Sequence, residues 1–498
     1  MWSELALEES TLEQLQTRFA TGALNGRQVT EAYLERIEAI DRSGPTLRSI
    51  IEINPDALEI AEQLDNERAR GRVRGPLHGI PIVLKDNIDT ADRMQTSAGS
   101  LALVGAPVLR DARVTQKLRE AGVVILAKAN MSEWANFRST RSSSGWSGRG
   151  RQTRNPYVLD RSPGGSSSGS AASVSANLCM AALGTETDGS IMSPSSASGV
   201  VGIKPTVGLT SRQGVIPISH SQDTVGPHAR SVADAATVLS AIAESGTDYR
   251  EFLHPAGLQA ARIGIARRFH TGYSEHTDRI FEHALTVLRS CGAELIDDVV
   301  IPGQAELRSN LEGADVTAES VIMQYEFKAG IASYLATRPD AAVRTLADLI
   351  EFNERHAAEE MAYFGQEHFA QAEARGPLTD ELYRRAVAQH QTFAVGFARL
   401  FTDRHLDALV APTSAPAWAI DVLNGDRGLG GSAQVAAVAG FPLITVPAGC
   451  VADLLPIGLT FMGPSMSEPT LIRLAYAFER AHPARRAPRF RTTTLELP

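Results

Sequence analysis

The stretch RVTQKLREAGVVILAKAN, residues 113–130, restricts the fold more than any other feature of the chain. Helical spacing gives way at a glycine to a run of β-branched and small apolar residues. A strand with no polar face must be covered on both sides, which is the position of a strand inside a helix-flanked sheet. The same order returns in HALTVLRSCGAELIDDVVI, and apolar strands bounded by Gly or Pro follow in HLDALVAPTSAP, FPLITVPAG and LPIGLTFMG. GPLHGIPIVLKDNI, near residue 80, reads as another buried strand. These segments predict an α/β fold with a large mixed, mostly parallel central sheet and helices on both faces. No fixed-period repeat points to a solenoid.

Before that sheet, Leu12, Leu15 and Phe19, then Val29, Tyr33 and Ile37, recur at helical spacing. Thr11 with Gln14 fits a capping box, and Gly22 and Gly26 separate two helices. Gly71 closes a third helix, so residues 1–75 read as an N-terminal helical segment. Residues 80–230 hold the chemistry-bearing motifs. Residues 305–395 are charged and helical, an insertion expected to cover one side of the core within a single domain spanning 1–498.

A net charge of −9 argues against a nucleic-acid surface, which needs a basic face. The basic tail (Arg480, Arg485, Arg486, Arg489, Arg491) reads as solvated surface. Cys179, Cys291 and Cys450 are odd in number and far apart, so neither a disulfide framework nor a structural zinc site follows. Cys179 lies among small apolar residues, where a thiol packs rather than reacts. There is no HExxH, GxGxxG or GxxxxGK[ST] motif, so no metal or cofactor is expected. No apolar run reaches membrane-spanning length. The acidic start reads as cytoplasmic, or as an exported chain whose leader has been removed.

Residues 162–170, SPGGSSSGS, have the composition of a flexible linker, yet stand between segments that belong to the core. Lys85 directly follows an apolar strand, where an uncompensated charge is costly; alone it reads as an ion pair with Asp86. Ser190 stands in TETDGSI, 24 positions after Ser166, and GVVGIKPTVGLTSRQGVIPIS follows. Together these segments resemble the amidase signature family of serine hydrolases, and the resemblance extends over nearly the whole chain. SEWANFRS, SSSGWSGRG, QTRNPY, YEFKAG and SEPTLIRLAYAFE resemble the branch that acts on peptide C-terminal carboxamides.

The resemblance implies Ser190 as nucleophile, Ser166 as bridging serine after a cis peptide bond, and Lys85 as base. A serine hydroxyl needs a base near neutral pH, and a lysine serves only if burial lowers its pKa. The resemblance places a backbone oxyanion hole at Thr187, Asp188, Gly189 and Ser190. Asp188 stands where the commoner family pattern has glycine, so its carboxylate is expected to turn away and accept hydrogen bonds. Trp134, Phe137 and Trp146 are candidates to line a peptide channel, with core packing as the alternative for each. Lys204, after the nucleophile loop, is expected to be structural. The implied activity releases ammonia from a peptide or other small amide through an acyl-enzyme. The alternatives are a broad acylamidase, the glutamine-hydrolysing subunit of a tRNA amidotransferase and a silent binding protein. The expected partner is the amide substrate, with neither nucleic acid nor membrane, and the chain is expected as a monomer or homodimer.

Overall fold

Strands β1 (Ile50–Ile53), β2 (Pro81–Lys85), β3 (Val124–Ala129), β4 (Ala181–Glu186), β5 (Val201–Lys204) and β6 (Thr224–Ala229) form one half of a single sheet. β7 (Arg262–Ile265), β8 (Glu294–Ile296), β9 (Ala408–Pro412), β10 (Leu443–Val451) and β11 (Leu455–Met462) complete it. A computed structural model supplies this description for residues 2, 4–297 and 299–496. The 11 strands run in the order β1-β3-β2-β4-β6-β5-β10-β11-β9-β7-β8. Every residue of β2, β3, β4, β5, β6, β9 and β11 is buried, the charged Lys85, Lys128, Glu186 and Lys204 included, within otherwise mostly apolar or small-residue strands.

The sheet is mixed, but the expected parallel majority is corrected. Among the described residues β3–β2, β2–β4, β9–β7 and β7–β8 are parallel. The pairs β1–β3, β4–β6, β6–β5, β5–β10, β10–β11 and β11–β9 are antiparallel. The turn between Val451 and Leu455 is too short for a crossover and makes β10–β11 a hairpin. Elsewhere the apolar pattern marks a strand without encoding its direction.

Helices Leu12–Ala20, Gly26–Arg36 and Ala57–Ala69 precede or flank β1, which lies inside the segment read from sequence as helical. Thr11 and Gln14 form the capping box of the first helix. Between β8 and β9 come the helices Ala318–Leu335, Leu346–Arg355, Glu367–Glu373 and Glu381–Asp403. Their apolar side chains Phe327, Ile331, Tyr334 and Phe369 pack with Trp134, Phe137, Ile216 and Ile218 from the loops beyond the sheet. This layer covers the sheet end that carries Lys85. No helix among the described residues is long and apolar enough to cross a membrane.

The topology positions the chemistry. β2 and β4 are parallel neighbours, and Glu186 of β4 lies opposite Thr224 at the start of antiparallel β6. Lys85, Thr185, Glu186, Asp223 and Lys204 therefore gather at one end of the sheet, the carboxyl end of its parallel strands, where α/β folds bind ligands.

Candidate active site

The linker-like segment is buried: Ser162–Ser170 are all shielded from solvent except Gly165, which is partly so. Gly164 adopts φ +70°, and a Cβ there would meet the Pro194 backbone at 2.9 Å. Only glycine allows the serine loop to approach the helix Met192–Ala197 that follows Ser190. The Gly165–Ser166 peptide bond is cis, as the resemblance implied. The helix Ser168–Ser175 leads from this loop toward β4.

Lys85 Nζ lies 2.8 Å from Ser166 Oγ. It also reaches Thr185 Oγ1 at 2.8 Å and the Thr185 carbonyl at 3.2 Å. Asp86 is not its partner: that carboxylate accepts from the Gly99 N–H and pairs with Arg149 at 3.2 Å. Burial strips the Lys85 ammonium of water and brings its pKa down to about 7, against the opposing pull of Asp223 and Glu186. The lysine is thus substantially neutral near pH 7 and able to accept a proton.

Ser190 joins this pair through the backbone. The Ser167 N–H donates to the Ser190 carbonyl at 3.2 Å, which sets the Thr187–Ser190 loop beside the serine loop. Lys85 and Ser166 are fully buried, whereas Ser190 keeps 8% exposure. Its Oγ has no hydrogen-bond partner in the protein among the described residues.

Glu186 holds the Thr187–Ser190 loop from inside. Its carboxylate accepts from the Ile191 N–H at 2.6 Å and the Met192 N–H at 2.9 Å, capping the short helix after Ser190. Gly189 sits at φ +77° at the turn. Thr187 Oγ1 donates to Asp223 at 2.6 Å, while the other Asp223 oxygen accepts from the Ile218 and Ser219 N–H groups. Asp188 is exposed to solvent, and desolvation where it meets the protein, then Glu319 and Glu186, raise its pKa.

A cavity of about 250 Å³ opens beside this cluster, bordered by Asn87, Thr185, Thr187, Arg212, Ile218 and Asp223. A larger one, about 420 Å³, lies among His276, His283 and His482 and shares none of these residues. Trp134, Phe137 and Trp146 border neither cavity. Trp134 meets Phe369, Phe137 meets Phe327 and His368, and Trp146 meets Phe364 with Arg138 over its ring. Ala135, beside Trp134 in sequence, borders the smaller cavity instead. Lys204 donates to the carbonyls of Phe441 and Ala436, and burial lowers its pKa to about 8. Cys179 is buried, with its thiol pushed up to about 12 by burial, too high to react.

Sequence reasoning passed over Thr185, Glu186, Asp223 and Glu319. The two acids of TETDG, in an otherwise small and apolar strand end, were a usable signal. Asp223 and Glu319 reach the site from distant segments and left none.

The mixed α/β sheet and the family matched over most of the chain make this an amide-hydrolysing enzyme. The chain belongs to the amidase family, whose model matches residues 28–472. It is similar to the solved structure of native peptide amidase from Stenotrophomonas maltophilia, with 48% identity and a TM-score of 0.91 over 98% of this chain and all of that one. A probable amidase of Arabidopsis thaliana is 41% identical over 98% of this chain and 93% of its own. A glutamyl-tRNA(Gln) amidotransferase subunit from Caldanaerobacter subterraneus is 32% identical over 96% of this chain and 97% of its own.

Proposed function

We propose that this amidase hydrolyses the C-terminal carboxamide of peptides to a free carboxylate and ammonia, with Ser190, Ser166 and Lys85 as its catalytic triad. The observation that carries the reading is the 2.8 Å contact between Ser166 Oγ and a fully buried lysine whose ammonium is destabilised.

Neutral Lys85 accepts the proton of Ser166 Oγ as Ser166 takes that of Ser190. The Ser190 oxygen attacks the amide carbon, and the carbonyl becomes a tetrahedral oxyanion. The backbone N–H groups of the Thr187–Ser190 loop are its proposed donors, each worth ~3–4 kcal/mol of barrier in comparable sites. The relay then runs backward: Ser166 delivers a proton to the leaving nitrogen and regains one from Lys85. The C–N bond breaks, ammonia departs, and Ser190 holds the acyl group as an ester. Water, deprotonated by the same relay, attacks the ester and releases the peptide carboxylate. A primary amide needs little room beyond its NH₂, which lets a narrow site reject internal peptide bonds by size. The likeness to peptide amidase supports this substrate class.

The likeness to an amidotransferase subunit favours a second reading, hydrolysis of free glutamine. Ammonia release from a capped dipeptide amide, free glutamine, an aryl amide and an internal-bond peptide separates the two. Turnover of the dipeptide amide, lost in Ser190→Ala, is the expected result. Turnover of glutamine alone would replace the peptide reading, and turnover that survives Ser190→Ala would remove the serine assignment.

A further inference from the structure

The helix Ala318–Leu335 of the insertion grips one loop, residues 217–223, along a single face. Glu319, Glu326 and Gly330 stand close to whole turns apart, which puts them on one side of that helix. Glu326 carries most of the grip, with its carboxylate fully shielded from solvent. Its Oε2 accepts from Ser219 Oγ at 2.5 Å and from the Ser221 N–H at 3.0 Å, and His220 Nδ1 lies 3.3 Å away. Its Oε1 accepts from Ser221 Oγ and, at 2.8 Å, from the Tyr383 hydroxyl. Glu319 accepts from Gln222 Nε2 on one oxygen and Gln434 Nε2 on the other, both at 2.9 Å. At Gly330 the helix meets Pro217, whose ring would stand 3.1 Å from a Cβ there.

The gripped loop in turn holds Thr187. Ser219 is the shared residue: its hydroxyl goes to Glu326, while its N–H, with that of Ile218, goes to one Asp223 oxygen at 3.0 and 2.8 Å. The other Asp223 oxygen accepts from Thr187 Oγ1 at 2.6 Å. Gln222 Nε2 lies 3.3 Å from the Thr187 carbonyl, so the loop fastens Thr187 at both its hydroxyl and its backbone. Ile218, His220 and Asp223 also border the 250 Å³ cavity, which Glu326 does not. A carboxylate taken out of water is costly unless donors surround it, and four donors from two serines and a tyrosine converge on this one. An unbroken chain of hydrogen bonds thus runs from the insertion through Ser219 and Asp223 to Thr187.

We propose that Glu326 is a positioning residue for amide hydrolysis: through Ser219, Ser221 and Asp223 it fixes Thr187, and with it the direction of the backbone donors in the Thr187–Ser190 loop. The proposal rests on the amide-hydrolase reading above and deepens it by giving the helical insertion a function at the site. Donors that stabilise a forming oxyanion must already point at it, because turning them during the reaction adds to the barrier. A loosened Thr187 therefore weakens an interaction made in the transition state and leaves the binding of the ground-state amide nearly as it was. Loss of Glu326 should appear in kcat rather than in KM.

The test is the kinetics of a dipeptide amide with wild type, Glu326→Gln, Thr187→Val and the double variant. Glutamine keeps the volume, but its amide nitrogen cannot accept, so the donors around Glu326 no longer all find an oxygen. Glu326→Gln should lower kcat roughly five- to tenfold with KM within about twofold. Thr187→Val removes the last link of the chain, and the double variant should lie within about threefold of it, the non-additivity of coupled groups. An unchanged kcat, a loss in KM alone, or losses that multiply in full would overturn the proposal. Should Glu326→Gln fail to fold, Ser219→Ala takes its place: it removes one donor, keeps the N–H to Asp223, and should cost about threefold in kcat with the same non-additivity. Hydrogen exchange of the same proteins, read by mass spectrometry, reports the coupling without turnover. Faster exchange in Glu326→Gln over both 217–223 and 187–191 is expected, and a change confined to 217–223 would refute the coupling even if the amide were turned over. A wild type that hydrolyses no amide yet shows the coupled exchange would sink the substrate reading and leave the coupling standing.

Discussion

Two strand ends in this molecule carry a fully buried lysine, and their surroundings differ in one chemical respect. Lys85 ends β2 against two hydroxyls, Ser166 Oγ and Thr185 Oγ1, besides a carbonyl. Lys204 ends β5 against the carbonyls of Phe441 and Ala436. Burial lowers both, to about 7 and about 8. A carbonyl accepts a hydrogen bond but has no proton to give, so Lys204 can fasten the chain and nothing more. A hydroxyl both accepts and donates, so at Lys85 the same buried amine faces partners with which it can exchange a proton. Depressed basicity is therefore insufficient to mark a base; the partner must be able to exchange a proton.

The most severe way to break this comparison is to remove Lys85. Lys85→Ala should lower kcat for the amide substrate by roughly 10²- to 10⁴-fold, the usual contribution of a general base. Ammonia release by the folded variant, verified by circular dichroism, gives the measurement; a loss under tenfold would make Lys85 no more than a second Lys204.

The pH profile sharpens the same point. Only the neutral amine accepts a proton, and its pKa lies at about 7. Below that, kcat/KM should fall about tenfold per pH unit as the ammonium form takes over, and above it should level off. Full activity at pH 5 would exclude a lysine base. Lys204→Met should behave in the opposite manner. It leaves the buried Phe441 carbonyl unpaired and removes a cation facing Glu186 and Glu468, which should cost about 2–4 kcal/mol of stability in chemical denaturation. Its kcat should change by less than about tenfold, that is by under ~1.4 kcal/mol of barrier.

The two lysines also show what was legible before the fold was known. GIPIVLKDN and GVVGIKPT are alike as strings: an apolar strand followed by lysine. Local pattern marked only the first of them as a strand, and it was the resemblance, with the spacing from Ser166 to Ser190, that gave the two lysines different expected roles. What local pattern lacks is direction and distance. It marked β10 and β11 as strands but not as an antiparallel hairpin, and it placed Trp134 and Phe137 near the site in sequence while their rings pack against Phe369 and Phe327 of the insertion. Glu319 and Gln434 meet over the nucleophile loop from segments 115 positions apart, a juxtaposition that follows from the folded topology and from no run of neighbouring residues.

The finest cut through the comparison changes one of Lys85's partners and leaves the lysine alone. Thr185→Val keeps the shape of the side chain and removes the Oγ1 that accepts from Lys85 Nζ and from Asn87 Nδ2 at 3.0 Å. An acceptor of this kind stabilises the ammonium more than the neutral amine, because the ammonium has the additional N–H to donate. Its loss disfavours the charged form and lowers the Lys85 pKa further, so the acid limb of kcat/KM should move to lower pH by less than about one unit. The plateau should drop only slightly, since the Ser166 contact is untouched. A limb that moves upward instead would mean that Thr185 acts mainly on the neutral lysine, holding its lone pair away from Ser166. The hydroxyl that distinguishes Lys85 from Lys204 would then be Ser166 alone.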